Sequence, residues 1–219
     1  MSAEAVVGRN GSGGHHSIIT PKDDSPPMAL DLPILFGTVR SERHSIHVAR
    51  YVYDLLGKRP GVETRLWDPV DLPFGNLVRR EWEMTERPAT VEVFVRAMEH
   101  ADGFVIVTPE YNFGIPGALK NLIDHVYDEW NRKPFGFITA GGIVGGVRAQ
   151  DQLRQVISGV RGITIPTSIP VQQVEKTWDK AGPMANRADW DARFDRFFSE
   201  LEWYARALQT ARAEPAPSS

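Results

Sequence analysis

The chain has 219 residues, of which 42% are apolar and 24% are charged, and its formal net charge is −3. This length and composition predict one globular domain with a single buried core, and the slightly negative charge argues against a nucleic-acid partner. The sequence contains no cysteine, which excludes disulfides, thiolate-bound metals and a cysteine nucleophile, and no apolar run reaches the roughly 20 residues of a membrane-spanning helix.

Both ends of the chain are expected to lie outside the folded domain. Residues 1–30 mix Gly, Ser, Pro and charge without periodicity, which is typical of a flexible leader. Residues 212–219 read as a disordered tail, which leaves one folded domain over 31–211. The leader lacks the apolar core of a signal peptide, so we expect a cytoplasmic protein with no membrane partner. No metal site is predicted.

Short apolar strands alternate with amphipathic helices along the domain. In chain order, strands are predicted at 32–37, 62–67, 103–108, 135–140 and 163–169. Apolar residues at helical spacing predict helices over 46–56, 91–98, 116–126, 147–160 and 190–208. This alternation predicts a doubly wound α/β fold, with a five-stranded parallel sheet and helices on both faces. The long connection at 68–89 is of a kind that is often functional, and His125 is expected at the surface or in an interface.

The first strand ends in the loop "GTVRSERHS", residues 37–45. Thr38 and Ser45 offer hydroxyl groups, Arg40 offers a planar cation, and the following helix points its free N–H groups toward the same place. These groups suit a phosphate. The alternative is that Ser45 only caps the helix while Arg40 is solvated. The loop has neither a G-x-G-x-x-G pattern nor a P-loop.

The third strand ends in "TPEYNFGIPGALKN", residues 108–121. Tyr111 and Phe113 can line a flat ring, while Gly114 and Gly117 permit unusual backbone angles or close approach. A purely structural turn explains the glycines equally well. It explains two aromatic residues in a polar loop less well.

The fourth strand ends in "TAGGIVGGVRAQ", residues 139–150. Its four glycines let backbone N–H groups approach a negatively charged oxygen of a ligand. The alternative is a flexible loop, with Arg148 on the helix surface. Because parallel strands end at one edge of a sheet, the three loops together fit a phosphorylated flat heterocycle such as flavin mononucleotide (FMN).

These three motifs resemble those of the NADPH-dependent FMN reductase family of flavodoxin-like oxidoreductases, over residues 32–175. The resemblance implies strand order 2-1-3-4-5, a flavodoxin-like FMN-binding domain, and a homodimer or dimer of dimers with flavin near the subunit interface. Gly114 stands where the family commonly has Ser. Carried over by position, the resemblance places these residues on the cofactor: Thr38, Arg40, Ser45 and the Ile46 amide on the phosphate; Pro109, Glu110, Tyr111, Asn112 and Phe113 around the ring; Ala140, Gly141, Gly142 and Gly145 along its other edge or the ribityl chain.

The predicted activity is hydride transfer from NADPH or NADH, through bound FMN, to a small-molecule acceptor. Free flavin, a quinone, an azo or nitro compound and a metal oxyanion all remain open as acceptors. No side chain is predicted to be catalytic, since hydride transfer needs no acid or base. Arg43, Arg79 and Arg80 are candidates for the NADPH 2′-phosphate, with solvated arginines the favoured alternative. The rival functions are a flavodoxin-like electron carrier that does not use nicotinamide, and a nonenzymatic interaction domain on the same fold.

Overall fold

The computed structural model describes residues 29–72 and 74–214, so most of the predicted leader and the end of the predicted tail lie outside the described residues. The strands are β1 Leu30–Asp31, β2 Ile34–Phe36, β3 Val62–Glu63, β4 Leu66–Trp67, β5 Phe104–Pro109, β6 Pro134–Gly141, β7 Ile163–Gln172, β8 Trp178–Asp179 and β9 Gly182–Pro183. The α-helices are α1 Ser45–Leu56, α2 Ala89–His100, α3 Gly117–Asp124, α4 Val147–Gly159, α5 Val174–Thr177 and α6 Arg187–Arg212.

The main sheet has five parallel strands in the order β4-β2-β5-β6-β7. Counted along the chain within this sheet, that order is 2-1-3-4-5, and the predicted α/β fold class is confirmed. The difference from the prediction is that the first two strands are each broken, so that β1 and β3 form a separate parallel pair. The break in the first strand falls at Pro33, which has no N–H to donate to a neighbouring strand. Pairing nevertheless continues across it, since Ile34 N donates to the Arg65 carbonyl at 2.8 Å.

Two apolar clusters lie on opposite faces of the sheet. One cluster forms where α1 and α6 pack on the sheet, and Val52, Phe194 and Phe198 are among its buried residues. The other gathers α2, α3 and α4 around Phe94 and Trp130. Every residue of β5 is buried, as expected for a central strand covered on both faces. Helices on both faces make the fold doubly wound, and they leave the carboxyl edge of the sheet free for loops.

Some elements between β7 and α6 are absent from the sequence-based prediction. β7 continues to Gln172, and the antiparallel pair β8–β9 then packs against α1. Gly182, at φ 112°, makes this packing possible because a Cβ there would lie 2.6 Å from the Tyr51 ring. Trp178 meets the same ring edge-on, with centroids 5.2 Å apart. The hairpin therefore closes the face formed by α1 and α6.

Candidate active site

The first two predicted loops contact each other at the carboxyl edge of the sheet. The Thr38 Oγ1 atom lies 2.8 Å from the Tyr111 hydroxyl, within hydrogen-bonding distance. The Arg40 guanidinium lies 5.2 Å from the centroid of the Tyr111 ring, a cation–π distance. The candidate phosphate loop and the candidate ring loop are thus joined through one tyrosine.

Helix α1 begins at Ser45 without a side-chain cap, so Ser45 is not the capping residue of the alternative interpretation. The side chains of Thr38 and Ser45 are buried in the loop, whereas Arg40 is exposed. The Ile46 amide donates to the Arg43 carbonyl at 3.0 Å, so in this structure it is used within the turn. The start of α1 therefore offers hydroxyl groups, a cation and the positive end of a helix dipole.

Arg43 is not a solvated arginine, contrary to the favoured expectation. Its Nη1 atom lies 2.6 Å from Asp68 Oδ1 and donates to the Thr38 carbonyl at 3.0 Å. It also lies 5.3 Å from the Phe36 ring centroid. Arg43 therefore stabilises the first loop through these contacts. The Arg80 guanidinium lies over the Trp82 ring, 5.0 Å from its centroid.

The second loop is a tight hairpin with strained backbone angles. Tyr111 and Gly114 exchange two backbone hydrogen bonds of 2.9 and 3.0 Å. The two residues between them, Asn112 and Phe113, have φ of 50° and 67°, so the left-handed angles do not fall on the glycines. Gly114 instead permits close approach, since a Cβ there would lie 2.7 Å from Gln152 Oε1. Phe113 is 70% exposed at the tip, an unusual combination of strain and apolar exposure.

Hydrogen bonds and a cation–π contact tie this hairpin to helix α4. The Glu110 Oε2 atom accepts hydrogen bonds from the backbone nitrogens of Arg148 at 3.0 Å and Ala149 at 3.4 Å. Gln152 Oε1 accepts from the Ile115 nitrogen at 2.7 Å. The Arg148 guanidinium stacks 4.1 Å from the Phe113 ring centroid, so Arg148 is a surface residue, as expected, that also touches the site. Glu110 thus caps α4 with its carboxylate, a favourable arrangement at the positive end of a helix.

The third loop forms a turn held by hydrogen bonds within the loop. Gly145 N donates to the Gly142 carbonyl at 3.2 Å, and Thr139 Oγ1 donates to the Gly145 carbonyl at 2.8 Å. Gly145 is buried with φ 67°, and Ala140 is buried with its carbonyl accepting from Glu110 N at 3.0 Å. Gly142 is exposed at the tip, where an added Cβ meets nothing within 4 Å. The tip is therefore the part of this loop that is open to a ligand.

A pocket of about 340 Å³ lies between the first loop, helix α3 and a segment that we call the strap, residues 69–72 and 74–77. Asn121 Oδ1 accepts from Leu77 N at 2.9 Å, and Asn121 Nδ2 donates to the Gly75 carbonyl at 2.7 Å. These two bonds hold the strap against α3.

The expectation that His125 lies at the surface is wrong. The residue is 2% exposed, and its ring centroid lies 4.7 Å from that of Phe74 in the strap. Its Nδ1 atom lies 2.6 Å from the Asn121 carbonyl. The sequence pattern missed this because the strap folds back over a helix face that would otherwise be exposed.

Asn121 and Gln152 are the contacts that sequence reasoning did not identify. The sequence did indicate Asn121, because Asn is a poor helix former and an Asn inside a helix usually makes a specific contact. Gln152 gave no such signal, because Gln is common on helix surfaces. Beside the first loop, burial and then the neighbouring Arg50 and His44 lower the pKa of the His47 ring.

The residues at this edge fit FMN chemically. A dianionic phosphate matches two hydroxyl groups, an exposed arginine and an uncapped helix start. A flat ring matches the Tyr111 and Phe113 side chains and the open backbone at Gly142. Within residues 29–72 and 74–214, His, Asp and Glu do not gather in groups of three that suit a metal ion. None of the helices described there is long and apolar enough to cross a membrane.

The chain matches the family model described as NADPH-dependent FMN reductase over residues 31–176. It is 36% identical over 149 residues to an NAD(P)H-dependent FMN reductase of Schizosaccharomyces pombe, covering 61% of this chain and 68% of the relative. It is 45% identical over 75 residues to a quinone reductase of Escherichia coli, covering 32% of this chain and 40% of that protein.

The fold is also found in solved structures. FerB, a flavoenzyme NAD(P)H:(acceptor) oxidoreductase from Paracoccus denitrificans, aligns with a TM-score of 0.65 and 21% identity over 81% of this chain and 98% of its own. A mutant flavodoxin from Pseudomonas aeruginosa aligns with a TM-score of 0.52 and 17% identity over 79% of this chain and 99% of its own. At these identities the likeness concerns the fold alone.

Proposed function

The chain belongs to the NADPH-dependent FMN reductase family, and from that membership we propose that its three loops hold FMN at the carboxyl edge of the sheet. The chain is an FMN-dependent NAD(P)H oxidoreductase. FMN held there would supply the redox chemistry between NAD(P)H and an acceptor. The protein supplies binding, orientation and electrostatics.

Each loop has its own part in this proposal. Thr38, Arg40, Ser45 and the start of α1 would hold the phosphate, and the segment from Pro109 to Phe113 would hold the ring. The tip at Gly142, with Ala140, Gly141 and Gly145 behind it, lines the other edge. The observation that carries the assignment is the 2.8 Å contact between Thr38 and Tyr111, because it places the phosphate loop and the ring loop within one hydrogen bond of each other.

The protein's own residues orient the ring and need not move a proton. Glu110 is committed to capping α4 through two backbone bonds, which removes it as a candidate acid or base. Phe113 offers an exposed aromatic face held by Arg148. We therefore propose that the site works by stacking and by backbone amides, with no catalytic side chain.

Assembly and location are part of the proposal. Phe113 of the second loop and Ile143 of the third loop are 70% and 78% exposed, and exposed apolar side chains on the loops that follow two adjacent strands favour a surface that another protein covers. This supports a homodimer or dimer of dimers with flavin near the interface. We propose a cytoplasmic enzyme acting on a small-molecule acceptor.

The test is an anaerobic titration of the purified protein with FMN, followed by NADPH or NADH. We expect stoichiometric flavin binding and rapid loss of the visible flavin absorbance on adding nicotinamide. Bound flavin that neither nucleotide reduces would instead favour the electron carrier. A protein that takes up no flavin would contradict the proposal.

A further inference from the structure

Arg148 is an exposed cation that contacts two residues of the proposed ring loop. Its Nη1 atom lies 3.7 Å from Glu110 Oε1, and its guanidinium lies 4.1 Å from the centroid of the Phe113 ring. The Arg148 side chain is 51% exposed, whereas the Glu110 side chain is 11% exposed. Arg148 therefore lies on the solvent side of the ring loop, where a molecule that approaches a bound flavin would meet it.

Both members of the Arg148–Phe113 pair are placed unfavourably for the stability of the fold. Arg148 is the second residue of α4, which begins at Val147, and the N-terminal end of a helix carries partial positive charge that repels a cation. Phe113 has φ 67° and is 70% exposed, which is costly for an aromatic residue. Two such features in contact, on a loop proposed to hold a ligand, indicate a role in binding rather than in stability.

The Arg148 side chain has hydrogen-bond donors to offer to a ligand. Across residues 29–72 and 74–214, Arg148 donates through its backbone nitrogen to Glu110 Oε2, and its guanidinium donates no hydrogen bond. The 3.7 Å separation from Glu110 Oε1 is too long for one. A guanidinium carries five N–H groups in one plane, and these match two oxygens of a phosphate group. The side chain can therefore bind an anion from solution while Phe113 supports it.

We propose that Arg148, supported by Phe113, binds the diphosphate that NADH and NADPH share. The inference rests on the proposed function, because it presupposes flavin at the ring loop. Nicotinamide must lie against the flavin ring to pass on its hydride, and a single ribose separates it from the diphosphate. A nicotinamide placed there brings the doubly negative diphosphate to the rim of the ring loop, where Arg148 lies. Arg148 thus strengthens the binding of both nucleotides without distinguishing them.

A second arginine on the same hairpin agrees with this assignment. The Arg40 guanidinium lies 5.2 Å from the centroid of the Tyr111 ring, and the Arg148 guanidinium lies over the ring of Phe113, two residues further along the chain. The hairpin therefore has one cation at each of its two aromatic residues. Such a pair suits a site that receives two anionic groups, the phosphate of FMN at Arg40 and the diphosphate of the nucleotide at Arg148.

The first experiment compares Arg148→Ala with Arg193→Ala. Arg193 is the matched control, because its guanidinium also lies over an aromatic ring, 4.3 Å from the Trp190 centroid, but on helix α6. Anaerobic stopped-flow reduction of the FMN-loaded protein gives the limiting rate and the apparent Kd of the donor. Arg148→Ala should raise this Kd for NADPH and NADH alike by roughly 5- to 50-fold, with the limiting rate within about 2-fold. Arg193→Ala should behave as the wild-type protein.

The second experiment uses a hydride donor that has no phosphate. 1-Methyl-1,4-dihydronicotinamide is uncharged, so it should reduce the flavin of Arg148→Ala and of the wild-type protein at rates within about 2-fold of each other. A residue that only shapes the ring loop would slow this donor as well. Arg148→Lys keeps the charge without the planar fork and should recover part of the affinity for NADPH.

Two measurements do not depend on turnover. Isothermal titration of NADP⁺ into the FMN-loaded protein should show weaker binding to Arg148→Ala than to the wild-type protein. The melting temperature of Arg148→Ala should stay within about 2 °C of the wild-type value, because removing a cation from the helix N-terminus offsets the lost cation–π contact.

The outcomes separate this inference from the proposed function. Failure of the wild-type protein to bind FMN, or of NADPH and NADH to reduce it, contradicts the proposed function itself. If the wild-type protein passes and Arg148→Ala binds both nucleotides equally well, the inference alone is wrong. Three further results would also overturn it: weaker binding of FMN but not of riboflavin, weaker binding of NADPH but not of NADH, or a changed oligomeric state in size-exclusion chromatography. They would assign Arg148 to the FMN phosphate, to the 2′-phosphate or to a subunit contact.

Discussion

The carboxylate of Glu110 lies 3.0 Å from the backbone nitrogen of Arg148 and 3.4 Å from that of Ala149. Glu110, which directly follows β5, therefore caps α4, the helix that follows β6. This contact ties the ring loop to the neighbouring strand–helix unit, so the hairpin is held from two sides. An acidic residue in a ligand loop here has a mainly structural task, and its removal should affect folding and flavin binding together.

We expect Glu110→Ala to lower the free energy of unfolding by about 1 kcal/mol, the typical loss for a helix cap. FMN affinity should fall several-fold because the hairpin loses its anchor on α4. Glu110→Gln keeps an acceptor oxygen and should recover part of the stability. Urea denaturation and flavin titration measure both effects. The control is Glu175→Ala on the exposed face of α5, and equal effects of the two alanine variants would argue against the capping role.

Arg40 is the exposed cation of the phosphate loop, and its removal should act mainly through the phosphate, with a smaller effect through its contact with the Tyr111 ring. A charge-assisted hydrogen bond contributes about 1.5–3 kcal/mol, so Arg40→Ala should weaken FMN binding by roughly 10- to 150-fold. Riboflavin, which has no phosphate, should lose much less affinity than FMN in the variant. Fluorescence titration with both flavins provides the measurement. Arg50→Ala, at an exposed position further along α1, should change neither affinity.

Much of the fold was predictable because its signals are local. The continuous apolar run of β5 and the helical spacing of residues such as Phe94 and Leu122 each depend on neighbours a few residues apart, and the right-handed crossover rule then places helices on both faces of a parallel sheet. The strand order came instead from the resemblance to the FMN reductase family. The approach of the three loops followed from the parallel sheet alone. The Thr38–Tyr111 contact is a product of that topology, although its geometry is not visible in the sequence.

The parts that were missed depend on contacts between distant segments. His125 is buried only because the strap returns across α3, and the pairing of Arg43 with Asp68 joins two different loops. The left-handed angles fall on Asn112 and Phe113 because the exchange of hydrogen bonds between Tyr111 and Gly114 closes a two-residue turn. None of these follows from composition or periodicity.

Alanine substitution should destabilise the folded protein at one glycine of the third loop, Gly145, and should leave its stability almost unchanged at another, Gly142. Gly145 has φ 67°, and a Cβ there would lie 2.9 Å from Pro170 Cβ, so Gly145→Ala adds both backbone strain and overlap. We expect a loss of about 2–4 kcal/mol in the free energy of unfolding. Gly142→Ala meets open space and should stay within about 0.5 kcal/mol. Chemical denaturation compares the two, and a stable Gly145→Ala variant would contradict the assigned turn geometry.

Lys133 directly precedes β6, at the edge of the sheet opposite the three loops. Its side chain reaches the C-terminal end of α2. Its Nζ atom donates to the carbonyls of Met98 and Glu99, both at 2.7 Å, and the residue is 6% exposed. Burial, followed by the nearby Arg212, lowers the pKa of Lys133 from 10.5 to about 8. The ammonium is therefore held where its charge is poorly solvated, even though its hydrogen bonds cap the helix.

This lowered pKa predicts a distinctive pH dependence of stability. Between pH 8 and 10.5 the unfolded chain keeps the Lys133 proton while the folded protein has lost it, so the free energy of unfolding should rise with pH across that window. Conversely, this stabilisation is lost as the pH falls through about 8. At about 1.4 kcal/mol per pKa unit, the full difference is on the order of 3 kcal/mol. Urea denaturation from pH 7 to 10 of the wild-type protein and of Lys133→Met, which cannot titrate, isolates the contribution as the difference in slope. Lys58→Met, at an exposed lysine just after α1, should keep the wild-type slope, and parallel curves for the wild-type protein and Lys133→Met would show that Lys133 titrates normally.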